Sequence, residues 1–99
     1  MTTLSAIIRR RLGELESAAP QIRAVLGAIG DPANLTFSQA LLLYAVTLDL
    51  APDVILDLGT GKGNSAAIFA LASSKLSKPR PEILTFDFAP SWKKRLAHD

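Results

Sequence analysis

With 99 residues the chain forms at most one domain, and a domain of that length buries only about 60–65% of the surface its unfolded chain exposes. Its 48% hydrophobic and 20% charged residues are those of an ordinary globular chain and exclude a disordered one, while a formal net charge of +2 gives no basic stripe that would argue for nucleic acid. No cysteine is present, which excludes disulfides and thiolate metal sites and agrees with a reducing cytoplasm.

At the N-terminus, Leu4, Ile7, Ile8, Leu12 and Leu15 recur at helical spacing, with arginines and glutamates between them. This predicts an amphipathic helix from about Thr3 to Ala18. Arg9, Arg10 and Arg11 follow the apolar residues and no apolar stretch comes after, so the segment does not read as a secretory signal. Pro20 sits where a new helix starts. Ile22, Val25, Leu26 and Ile29 continue the helical period, Gly30 stops it, and Asp31 to Asn34 reads as a turn.

A third helix begins near Thr36 or Ser38, either of which caps it, and runs through Leu41, Leu42, Leu43, Tyr44 and Val46 towards Leu50. Its apolar residues go nearly all round, which predicts burial. The stretch Ala40 to Pro52 contains Thr47 and Asp49 and falls short of the roughly 20 apolar residues a membrane span needs. The expected protein is soluble and cytoplasmic, with no membrane partner.

Ala51, Pro52 and Asp53 break the helix. Val54 to Leu58 follows, short and apolar, and reads as a strand covered on both faces, as in parallel sheets. Gly59 to Gly63 is a glycine-rich loop, Asn64 to about Leu76 a helix, Ser77 to Pro81 a polar connection, and Glu82 to Asp87 a second strand. Ser91 to His98 looks like the opening of another helix. The expected fold class is α/β: a partial Rossmann-like βαβ unit with parallel strands and a right-handed crossover, preceded by two or three N-terminal helices.

The segment Asp57-Leu58-Gly59-Thr60-Gly61-Lys62-Gly63-Asn64-Ser65-Ala66 carries the chemistry. Glycines at a strand-to-helix turn permit positive φ and remove the Cβ that blocks a ligand's approach. The helix N-terminus adds free N–H groups and a partial positive charge, which favour a phosphate or carboxylate. In a βαβ unit Asp87 ends the neighbouring strand, where a carboxylate accepts both hydroxyls of a ribose. A Walker A loop is excluded, because Lys62 is followed by Gly63. Gly61-x-Gly63-x-x-Ala66 fits the variant dinucleotide fingerprint, so a nicotinamide- or flavin-dependent oxidoreductase stays open as an alternative.

Residues Val54 to Ala66, VILDLGTGKGNSA, resemble motif I of class I S-adenosylmethionine-dependent methyltransferases: an apolar strand ending in an acid, then Gly-x-Gly-x-Gly. The lead-in Thr36-Phe37-Ser38-Gln39-Ala40 is similar to that of many small-molecule O-methyltransferases, and Phe86-Asp87 with Pro90 and Trp92 resembles the second acidic strand end of the group. The likeness covers roughly residues 36–95. It implies S-adenosyl-L-methionine as cofactor and a small-molecule hydroxyl as methyl acceptor. It also implies that Gly59, Thr60, Gly61 and Gly63 meet the methionine part and ribose. Asp57 would reach the amino group, Asp87 would hold the ribose hydroxyls, and Phe88 would lie against the adenine. Asn64 and Ser65 would cap the helix and touch the carboxylate, while Lys62 departs from the small or polar residue of the pattern.

The same motifs have plainer readings. Asp57 serves equally as a structural carboxylate taking loop N–H groups, and Asp87 as a strand-end residue or helix cap. Trp92 suits packing, Lys93-Lys94-Arg95 a wet helix face, and the lone His98 neither base nor ligand. No metal ligands and no catalytic residue are assigned, because the family takes its acceptor-positioning and base residues from later strands. The expected division is an N-terminal helical segment, residues 1–35, and a truncated cofactor-binding Rossmann-like domain, residues 36–99. The chain is thus expected to be a fragment or half of an assembly, which self-associates through an exposed strand edge and apolar helices. A non-catalytic binding or dimerisation module is the further alternative.

Overall fold

In the computed structural model the described residues are 3–29, 35–58, 64–77, 79 and 81–86. Among them the order is α1 (Leu4–Arg10), α2 (Leu12–Ile29), α3 (Phe37–Leu50), β1 (Val54–Leu58), α4 (Asn64–Ser73) and β2 (Glu82–Phe86). The arrangement is mixed α/β, with a parallel two-stranded sheet, and is compatible with a partial α/β unit. The predicted turn at Asp31 to Asn34 and the helix at Ser91 to His98 lie outside the described residues.

The N-terminal region departs from the sequence expectation in two ways. The expected single helix from Thr3 to Ala18 is interrupted at Arg11, whose φ of −101° and ψ of 11° close α1. There the chain is tied sideways to the end of α3. Arg10 donates to Asp49 through Nη2 at 2.8 Å, and Arg11 donates to the same carboxylate through Nε at 3.3 Å. Both helices thereby keep an apolar face on α3, Ile7 from α1 and Leu15, Ala18 and Ile22 from α2.

Nor does Pro20 start a helix: it lies inside α2. A proline there cannot donate to the carbonyl four residues back and crowds it, at a cost of about 3 kcal/mol or more. The buried stripe Leu15, Ala18, Ile22 runs on through it, while Pro20 itself is exposed. Packing on both sides of the proline outweighs the lost hydrogen bond, and Glu16, whose carbonyl loses its donor, is also exposed to water.

The third helix follows its sequence closely. Thr36 is the N-cap and forms a capping box: its Oγ1 accepts from the Gln39 N–H at 3.1 Å, and the Gln39 Oε1 accepts from the Thr36 N–H at 3.0 Å. Ala40, Tyr44, Ala45, Thr47 and Leu48 are buried, and the hydroxyl of Thr47 donates to the Leu43 carbonyl at 2.8 Å. Ala51 ends the helix in the left-handed region, φ 44°, with its N–H on the Thr47 carbonyl, and Pro52 prevents continuation.

The two strands pair in register from Val54 beside Glu82 to Leu58 beside Phe86. One core cluster runs from Ile7 through α2 and α3 to Ile68 and Ala72 of α4, which packs on both strands. Among the described residues the helices cover one face of the sheet. Ile55 and Asp57 are buried, but Val54, Leu56 and Leu58 are 55%, 59% and 62% exposed. Among the described residues no layer lies over the second face, where the sequence leads one to expect cover.

Candidate functional site

Strand β1 and helix α4 are joined by residues 59–63, and β2 returns parallel to β1. Parallel pairing brings the carboxyl ends of the two strands to the same edge, with Leu58 beside Phe86. The segments leaving those ends therefore start side by side. The N-terminus of α4 begins at Asn64, on the far side of the glycine loop. A strand end, a helix start and a second parallel strand end are the elements of a ligand crevice in open α/β sheets.

One side-chain contact ties these elements together. The Ser65 hydroxyl, in the first turn of α4, donates to Asp57 Oδ2 at 2.8 Å. Asp57 alternates inward with Ile55 and is only 8% exposed. A carboxylate held that far from water needs donors, and Ser65 supplies one. Its position beside a helix N-terminus is also favourable, since the first-turn amides carry partial positive charge. The bond fixes the spacing between the end of β1 and the start of α4.

Of the residues marked by the sequence, Asp57, Asn64 and Ser65 fall within this arrangement, Asn64 as the first residue of α4. Gly59, Thr60, Gly61, Gly63, Asp87 and Phe88 lie outside the described residues, as do Lys62 and Trp92. The bond from Ser65 to Asp57 was not foreseen in the sequence, which gave Ser65 to helix capping and ligand contact. The available signal was a strand-end acid followed eight residues later by a hydroxyl in the first helical turn.

Among the described residues no group of three or more histidine, cysteine, aspartate or glutamate side chains is placed to hold a metal ion. No helix among them is long and apolar enough to cross a membrane. No protein-family model, curated protein or solved structure was found to match the chain.

Proposed function

We propose that the chain binds S-adenosyl-L-methionine at the carboxyl ends of β1 and β2 and is the cofactor-binding part of a Rossmann-like methyltransferase, acting on a small-molecule hydroxyl. The observation that supports this reading is the parallel β1–α4–β2 unit, in which Asp57, the acid of the Gly-x-Gly-x-Gly motif, meets Ser65 in the first turn of α4. That is the framework in which glycine-bared amides at residues 59–63 and a carboxylate just beyond Phe86 would face one ligand.

In this reading Gly59, Thr60, Gly61 and Gly63 bind the methionine part and the ribose. Asp57 takes the amino group, and Asn64 and Ser65 meet the carboxylate at the helix start. Asp87 accepts the ribose hydroxyls and Phe88 lies against the adenine. The cofactor would supply an electrophilic methyl group. The work of these residues is to bind and orient it, the part of an in-line displacement that positioning controls. None of them is assigned as a base.

Calorimetry of one sample with S-adenosylhomocysteine and with NAD tests the reading. Saturable S-adenosylhomocysteine binding is expected, weakened about tenfold or more by Asp87→Asn, as loss of charge-assisted hydrogen bonds to a ribose requires. Binding of NAD without S-adenosylhomocysteine would replace the methyltransferase reading with the oxidoreductase one.

A second reading, a non-catalytic dimerisation or binding module, draws on the exposed face formed by Val54, Leu56, Leu58 and Leu84. A concentration-independent dimer in sedimentation, combined with no cofactor binding, would favour it.

A further inference from the structure

The Ser65 hydroxyl carries a single proton, and Asp57 takes it. Ser65 Oγ donates to Asp57 Oδ2 at 2.8 Å. An ionised carboxylate only accepts, so the direction of the bond is fixed. What Ser65 Oγ presents to any other group is lone pairs, which a second carboxylate would meet unfavourably. The backbone N–H of Ser65, in the first turn of α4, is by contrast a donor that suits an anion.

Asp57, the other member of the pair, is buried on the inward side of β1. Among the described residues its side-chain partner is Ser65, and no arginine or lysine pairs with it. The bond falls on Oδ2, whereas the two oxygens of a carboxylate offer about four acceptor sites. A buried carboxylate with one neutral donor gains most from a cation, because a buried charge is costly until it is paired.

We infer that Ser65 is a positioning residue for the ammonium of the bound cofactor: its hydroxyl holds Asp57 in place to receive the amino group and does not touch the ligand's carboxylate. That carboxylate is left to Asn64 and to the backbone N–H groups at the start of α4, the Ser65 N–H among them. This role rests on the cofactor reading above and divides the work within it. Ser65 Oγ acts on the ligand only through Asp57.

The test titrates the full chain with three thioethers in a calorimeter. S-Adenosylhomocysteine carries both charges of the amino-acid group, adenosylthiopropylamine keeps the ammonium and lacks the carboxylate, and methylthioadenosine lacks both. Ser65→Ala is expected to weaken the first two about tenfold each, and methylthioadenosine by less than about twofold. Ser65→Thr, which keeps the hydroxyl, is expected to restore both. In a chain already carrying Asp57→Asn, Ser65→Ala is expected to cost less than about a further twofold, since the hydroxyl then has no carboxylate to hold. Ser65→Cys, close in size and a weaker donor, is expected to weaken the same two ligands severalfold, and it carries the test should the alanine chain lack a thermal transition. A loss confined to S-adenosylhomocysteine would put the hydroxyl on the ligand's carboxylate and overturn the assignment. Equal losses for all three ligands, no loss for any, or losses that add in full to that of Asp57→Asn would overturn it as well. An unaltered chain that binds none of the three would overturn the cofactor reading, and this role with it, before any variant is made.

Discussion

At the scale of single residues, two carboxylates show how far a side chain's partners decide its role. Asp57 is inward-facing on β1 and takes the Ser65 hydroxyl at 2.8 Å. Ser65→Ala removes that donor from a buried carboxylate, and the expected loss is about 1.5–3 kcal/mol in urea unfolding, the range for a hydrogen bond to a charged group. A loss of a few tenths would mean that other donors hold Asp57 and that Ser65 is incidental. Asp49 is held by hydrogen bonds from Arg10 and Arg11, and the Arg10 bond is the largest cause of its pKa falling below the usual 3.8. A folded-state pKa below the unfolded one stabilises the fold at pH values above about 3.8, and that stabilisation is lost as the pH falls through the lower folded value. Asp49→Asn is therefore expected to unfold at lower urea than the unaltered chain at pH 7, with the gap closing on acidification below pH 4. A gap that stayed constant from neutral to acid pH would show that the arginine contacts contribute through packing instead.

Among the elements, those whose signals are local were legible in the sequence. Thr36 or Ser38 was legible as the cap of the third helix and α3 begins after Thr36; Ala51 and Pro52 announce a stop and α3 ends at Leu50. The β1–α4–β2 order and its parallel pairing were readable from two apolar runs flanking a glycine loop. What was not legible depends on contacts across the fold. The break at Arg11 coincides with ties to Asp49, which is 38 positions away in sequence. The continuation of α2 through Pro20 depends on Ile22 and Ala18 finding the same core. Likewise the order of strand, glycine-rich segment and helix could be read, but the bond from Ser65 to Asp57 could not, because it needs the strand and the helix already in place. Pro20→Ala measures how much the core compensates. With the N–H restored and the ring removed, a gain of about 1–3 kcal/mol is expected, less the entropy that proline removes from the unfolded chain. A loss of stability would mean that α2 needs its proline, for instance to set the angle between its two halves.

At the scale of the whole molecule, the main feature among the described residues is a sheet with one face on the helices and the other open. The consequence can be read from two neighbouring residues of β1. Ile55 is 8% exposed and Leu56 59% exposed, although both are large, aliphatic and one position apart. Burial decides what truncation costs: removing a buried aliphatic side chain takes about 2–5 kcal/mol, whereas an exposed one changes stability within about 0.5 kcal/mol. Ile55→Ala is thus expected to lower the urea midpoint sharply, and Leu56→Ala hardly at all. The comparison also reports on association, because a face that pairs with another molecule would count Leu56 as buried. In that case the cost of Leu56→Ala would rise with protein concentration while the cost of Ile55→Ala stayed fixed. Equal costs at every concentration would contradict the open face itself, and would mean that β1 is sheltered on both sides within one chain.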